Sequence, residues 1–478
     1  MATMNTQQQQ TTAPTNSKRD NDVFDVVIIG GGVVGLAILR AATLAGHKCA
    51  VIERDSYILS GASSGNSGIV CTGVDAAPGS LERALIRDSI SQIRPFLQEQ
   101  NIPYRECGSL VCEWDGDQIT GDALRGGRHF KTPLSKVFAE SIDAGDSNAR
   151  RLNTQEVGEL EPNVSTLCRA AVHIPGEIVV DSWLFSVALA VHARENGAII
   201  YTDFAYDPEA TWWDEEDQLW TIKRRPFRDG DAPEFEPPME LKAKAVVNAA
   251  GIYADLVQKH TKGVRPPQWT AKPRRGQYCV FFSDNVTHLT RPIQPIPTQR
   301  TKGVFVYSTL YDHIVVGPTA LDQKSREDRK VDKKVGDELV GVGIRVLPDL
   351  DPETQFIGEF VGIRPATDKR DYQIFLSAIR PWVAVAGIRS TGLTASLGIG
   401  RHVVNLLESV LPVPTKPGYI RTAPLPHVRD LINVYKSNSD GLVMIHGHIY
   451  KVTHPLTRFG WESETGIARP PRERKARL

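Results

Sequence analysis

Gly30-Gly31-Gly32-Val33-Val34-Gly35 places glycines at the spacing that cradles a pyrophosphate. Gly30 makes a tight turn, Gly32 lets backbone approach the phosphates, and Gly35 lets a helix close on a strand. The apolar run Val26-Val27-Ile28-Ile29 before it and the helix-like Leu36 to Ala42 after it supply the strand and helix this motif requires. A helix starting there turns unpaired N–H groups and a positive dipole end toward the anion. Glu53 closes the next apolar run, Cys49-Ala50-Val51-Ile52, at the distance from the glycines expected of a carboxylate bonding an adenosine ribose. The chemistry these residues point to is that of a bound dinucleotide. A second loop rich in glycine and hydroxyls, Ser60 to Gly68, follows directly and has the composition to close on phosphate or ribose.

The elements that must position these groups follow the alternation of a doubly wound sheet. Ser80 caps an amphipathic helix carrying Leu81, Leu85, Ile93, Phe96 and Leu97, which Pro95 kinks or ends. Ser182 to Ala193 reads as a buried helix and Gly197 to Tyr201 as the strand after it. Lys244 to Asn248 is a further buried strand that ends on Ala249-Ala250-Gly251, where small residues admit a ligand or another backbone. From about 262 to 355 the period shortens to two, as in Gln277 to Phe282 and Gly303 to Tyr307, which predicts an antiparallel sheet able to roof a site. Residues 106–165 look irregular and are expected to form an inserted surface layer. Lys330 to Val346 is expected as a surface helix, and Trp382 to Gly387 as a strand before a helix from about Thr394 to Leu407. Past Leu411 a proline-rich connector leads to a hairpin turning at Gly447, whose histidines, with His454, read as hairpin side chains rather than metal ligands.

Composition narrows the function classes. With 56 basic and 56 acidic side chains in 478 residues there is no global pull toward nucleic acid or an anionic membrane. Six scattered cysteines suit a reducing compartment, and no apolar run reaches the ~20 residues of a spanning helix. No metal site is expected. Residues 1–22, with four consecutive glutamines, read as a disordered lead. The terminal Ala476-Arg477-Leu478, behind further basic residues, is similar to the peroxisomal address Ser-Lys-Leu, so a peroxisomal import receptor is an expected partner and a cytoplasmic protein the alternative.

Taken in order, these segments resemble the FAD-dependent D-amino-acid-oxidase superfamily, in its glycerol-3-phosphate dehydrogenase and L-2-hydroxyglutarate dehydrogenase branch. The resemblance runs from about residue 23 to 408 and includes Gly65-Asn66-Ser67-Gly68, Cys107-Gly108-Ser109-Leu110, Val247 to Gly251, Pro273 to Tyr278, Gly317-Pro318-Thr319-Ala320, Gly362-Ile363-Arg364-Pro365 and Gly387 to Thr394. It implies an α/β fold with a discontinuous Rossmann-type FAD-binding domain (23–105, 166–261 and 356–410). It also implies a second, α+β substrate domain on a largely antiparallel sheet (106–165 and 262–355), before a C-terminal extension (411–478). It implies non-covalent FAD, with Glu53 and Arg54 at the ribose, and Ser63, Ser64, Asn66, Ser67 and Gly68 near phosphates and flavin. Ala250 and Gly251 belong to the same site, and Gly387, Arg389, Gly392, Leu393 and Thr394 lie against the isoalloxazine.

Relatives commonly carry a histidine where this chain has Cys71, so the place of the base is vacant or moved. For oxidation of a small anionic alcohol, glycerol 3-phosphate or a 2-hydroxy acid, Arg364 is the expected anion anchor because a guanidinium fork matches carboxylate or phosphate oxygens. Arg275 and Arg274 come next, and His173 and His313 are the candidate bases. The electron acceptor is expected to be oxygen, a quinone or a carrier protein. Two rivals are an amine or amino-acid oxidase of the same fold and a flavin-stabilised binding protein that works through residues after 411.

Overall fold

The computed structural model describes residues 23–115, 133–228, 230–297, 302–414, 420–437 and 440–464. The N-terminal lead and the Ala476-Arg477-Leu478 terminus lie outside the described residues.

Val26, Ile28 and their alternate neighbours Val27 and Ile29 are all buried, so the first strand, Phe24–Ile29, must be covered on both faces. It lies between Cys49–Ile52 and Glu240–Asn248, parallel to each. Ile199–Tyr201 and Trp382–Ala386 extend the parallel set on either side. Val26 and Ile28 pack in the core formed with helices Val33–Leu44, Ser182–Glu195 and Gly392–Glu408. On the other face Val27 and Ile29 meet Tyr206, Trp220 and Ile222 of an antiparallel ribbon, Tyr206–Asp214 with Leu219–Arg224. Helix Ser182–Glu195 is apolar around most of its circumference, which suits its burial. Ser80 caps helix Leu81–Glu99 by accepting from the Arg83 N–H at 3.2 Å.

The second sheet has nine strands, antiparallel except where Ile293–Pro295 runs parallel to Ser109–Trp114. Its long strand Arg274–Phe282 pairs with His313–Gly317 on one side and Phe356–Arg364 on the other, in a register that sets Arg274 opposite Arg364 and Gly276 opposite Gly362. Two expectations are corrected. Ser109–Trp114 is an interior strand of this sheet and not part of a surface layer, because its mostly apolar residues are buried. Cys168–Ile174 and Phe356–Arg364, assigned by sequence to the nucleotide-binding half, pair inside the second sheet, since strand pairing crosses the boundaries that periodicity suggested.

The segment after Leu411 folds onto the body. It forms helix Val428–Lys436, a hairpin of Leu442–Ile445 and His448–Lys451 turning through His446 and Gly447 at positive φ, and helix Pro455–Glu464. Trp461 is fully buried, edge-on to Trp183 and Tyr435, and its Nε1–H donates to the Tyr311 hydroxyl at 2.9 Å. That hydroxyl donates to Asp181 Oδ2 at 2.7 Å, while Asp181 Oδ1 caps helix Ser182–Glu195 by accepting from the Leu184 N–H. The tail thus closes a hydrogen-bond chain on the helix that backs the first sheet. Trp461→Ala should cost about 3–5 kcal/mol through the cavity it leaves; a urea midpoint unchanged from wild type would show that the tail does not stabilise the body.

Candidate active site

A cavity of about 1060 Å³ lies where the two sheets meet, lined by residues of both. Its first wall is the glycine turn. Gly30 has φ +110°, and a Cβ added at Gly35 would lie 1.9 Å from the Gly30 carbonyl oxygen, so the strand-to-helix approach admits no side chain. Helix Val33–Leu44 begins at Gly32 with no side-chain cap and no acidic residue in its first turn, leaving its positive end toward the cavity. Glu53 accepts from the Gly31 N–H at 2.8 Å and the Asp55 N–H at 3.1 Å. Burial raises its carboxyl above the ordinary carboxylate range, and those two backbone donors offset only part of the rise.

The loop after it wraps the same wall. Ser63 Oγ accepts from the Val33 N–H at 2.9 Å, and Asn66 ties the loop by donating to Ser63 O and accepting from the Gly68 N–H. Tyr307 of the second sheet donates to Ser67 O at 2.8 Å. Gly65 rests on Gly362, where a Cβ on either would collide with the other's backbone. Gly387, at φ +72°, and the start of helix Gly392–Glu408, whose first turn also lacks an acidic residue, line the same cavity.

Arg364 sits at the end of strand Phe356–Arg364, on the cavity wall. Its Nη2 donates to Thr319 O at 3.0 Å, whereas Nη1 is buried without a hydrogen-bond partner. Burial and the nearby Arg274 lower its pKa from the ordinary guanidinium value. Arg274 also lines the cavity but donates to Asp322 at 2.7 Å. Arg389 pairs with the buried Glu82, which also accepts from Thr391 Oγ1 at 2.7 Å.

These residues fit an FAD: two helix starts with no acidic residue in the first turn face the cavity, its glycine turn excludes side chains, and a carboxylate stands where an adenosine ribose would bind. Residues 25–406 match DAO, the FAD dependent oxidoreductase family. The chain belongs to that family. It is 30% identical to the glycerol 3-phosphate oxidase of Mycoplasma pneumoniae over 392 residues, covering 80% of this chain and 94% of the relative. It is 27% identical to a glycerol 3-phosphate dehydrogenase of Caloramator mitchellensis, covering 81% and 74%. The solved FAD-bound, dithionite-reduced L-α-glycerophosphate oxidase of M. pneumoniae superposes with a TM-score of 0.73 at 26% identity, over 85% of this chain and 99% of that one.

In this FAD-dependent oxidoreductase the structure brings most of the residues read from sequence onto one cavity. Gly30, Gly32, Val33, Val34, Gly35, Glu53, Arg54, Ser63, Asn66 and Ser67 line it, as do Ala250, Gly251, Gly387, Arg389, Gly392 and Leu393. Ser64, Gly68 and Thr394 stand just behind the wall: Ser64 accepts from Arg329 at 3.1 Å, Gly68 is held by Asn66, and Thr394 Oγ1 accepts from the Cys71 N–H at 3.1 Å. Three expectations are corrected. Arg275 is turned away from the cavity and donates to Lys330 O, because alternate residues of a strand face opposite sides and Arg274 takes the inner one. His313 is buried against the C-terminal helix, its Nε2 2.8 Å from Ser463 Oγ, and burial lowers it to about 4. His173, on Cys168–Ile174, is also off the wall and is lowered to about 4 by burial and by Arg291 and Arg150. Neither imidazole is placed to take a proton from a molecule in the cavity.

Sequence reasoning missed several wall residues. Arg326 holds Asp255 bidentately at 2.7 and 2.8 Å, which carries the segment with Glu327 and Arg329 across the nucleotide end. Lys302, Gln294 and Glu177 line the opposite, substrate-domain part. None belongs to a motif; the signal that finds them is tertiary. Gly35→Ala should purify without flavin absorbance and bind added FAD at least ~100-fold more weakly, as the helix can no longer close on the turn; flavin fluorescence quenching equal to wild type would contradict this placement.

Proposed function

We propose that the protein oxidises the C–OH of a small anionic substrate, glycerol 3-phosphate or a 2-hydroxy acid. The observation that carries this reading is Arg364. A buried guanidinium with one donor edge open and no carboxylate partner among the described residues is costly unless an anion completes it. Nη2, fixed on Thr319 O, holds the fork so that the open edge meets phosphate or carboxylate oxygens in a set direction. Holding the anion still orients the carbinol carbon, and orientation supplies much of the lowering of such barriers. FAD held by these residues would supply the two-electron acceptor for the carbinol hydride. The named relatives, glycerol 3-phosphate oxidase and dehydrogenase, support the alcohol over an amine. L-2-hydroxyglutarate dehydrogenases are similar at lower identity, 25% for the Bos taurus protein.

The acceptor that reoxidises the flavin is proposed to be oxygen, with a quinone or carrier protein as the other outcomes of a peroxide assay during turnover. The Ala476-Arg477-Leu478 terminus is proposed as a peroxisomal import signal; a fluorescent reporter carrying it that stays diffuse would refute this.

Mixing the holoenzyme anaerobically with glycerol 3-phosphate, 2-hydroxy acids and amino acids tests the reading, since only a substrate bleaches the flavin. Bleaching by amino acids alone would favour an amine oxidase, and no bleaching at all a binding role. Arg364→Met should keep FAD while raising the substrate concentration for half-maximal bleaching ~100-fold or more, in line with the loss of a buried charge pair.

A further inference from the structure

Cys71 occupies the wall beside Thr394, and burial pushes its thiol up to about 11, so it stays protonated across the neutral range. With His173 and His313 off the wall and His260, which lines it, beside Glu209, the chain needs another group to take the hydroxyl proton. Several other acidic groups of the wall are engaged: Glu82 holds Arg389 and Thr391, Glu53 accepts two backbone N–H groups, Asp75 pairs with Lys302, and Glu140 lies 3.7 Å from the Lys136 ammonium.

Glu177 differs from these. It lies in the turn between Cys168–Ile174 and Ile178–Val180, fixed where its carbonyl oxygen accepts from the Gly108 N–H at 3.0 Å. The residue is 2% exposed yet forms part of the same cavity wall as Cys71, Asp75, Gln294 and Lys302. Oε2 accepts from the neutral amide of Gln294 at 2.6 Å, so its carboxyl is oriented without being neutralised by a cation in direct contact.

We propose that Glu177 is the base that removes the hydroxyl proton of the substrate. The inference rests on the alcohol-oxidising reading above. The O–H bond breaks and its proton passes to the Glu177 carboxylate; the electron pair left on oxygen closes the C=O bond as the C–H hydrogen leaves with its pair to the oxidised flavin. The product is the ketone, and the carboxylic acid returns its proton to water.

The surroundings suit that task. Burial and the negative Asp75 raise Glu177 to about 7, while Ser109, Lys302 and Gln294 pull it down. Cys71 and Cys107 also face it and are neutral, since burial raises both thiols. A carboxyl poised near the working pH is half in its basic form there and strong enough to accept a proton. The basic form is the active one, so flavin reduction should rise with pH, close to tenfold per unit below about 7, and level off above it.

The test is anaerobic stopped-flow reduction of the bound flavin by glycerol 3-phosphate and by a 2-hydroxy acid across pH. Glu177→Gln, with FAD content confirmed, should slow reduction ~10²–10⁴-fold and flatten the pH profile. Glu177→Asp should remain slow but keep a pH dependence, and it carries the test if the Gln variant fails to hold FAD. Independently of turnover, the infrared difference between about pH 6 and about pH 8 should contain a protonated-carboxyl band that Glu177→Gln abolishes. Reduction of Glu177→Gln within about threefold of wild type, with the same pH profile, overturns this proposal alone. A wild-type flavin that no alcohol bleaches overturns it together with the functional reading.

Discussion

The backbone contact between Gly65 and Gly362 is the constraint on which the site depends. A Cβ at Gly362 would lie 2.0 Å from the Gly65 carbonyl oxygen, so the phosphate-side loop of one sheet and the last long strand of the other touch main chain to main chain. Two residues beyond Gly362 the strand presents Arg364, and two before Gly65 the loop presents Ser63, which bonds the first helix N–H. Any side chain at this junction would part the sheets and separate the anion anchor from the dinucleotide turn.

Charge along the cavity is mostly compensated by the protein itself. Arg389 has Glu82, Lys302 has Asp75, Arg274 has Asp322 and Arg326 has Asp255. Arg364, with one unpartnered donor, and Glu177, which accepts from the Gln294 amide, stand outside these pairs. Buried groups of this kind are the ones whose energy changes most when a ligand arrives, because a low local dielectric strengthens charge interactions. Structural pairs hold the walls, and the unpaired groups are left for chemistry.

The nucleotide turn was legible in sequence because its constraints are local. Gly30, Gly35, the flanking apolar runs and Glu53 lie within a single strand–helix–strand unit, and the steric demands of close approach act between near neighbours in the chain. The Ser80 cap, helix Lys333–Val346 and the Gly447 hairpin were legible for the same reason. Domain boundaries were less so: Cys168–Ile174 and Phe356–Arg364 have the same buried apolar character whichever sheet they join, and only pairing assigns them.

The sequence by itself determined a dinucleotide-binding α/β unit, its glycine turn and the presence of arginines able to hold an anion. Tertiary structure decided which of them reach the cavity, because strand register turns Arg274 and Arg364 inward and Arg275 outward, and a period of two cannot say which face is the cavity. It also decided which titratable groups reach the cavity: His173 and His313 lie off its wall, and Glu177, carried by no motif, lies on it, because the packing of distant segments sets each position.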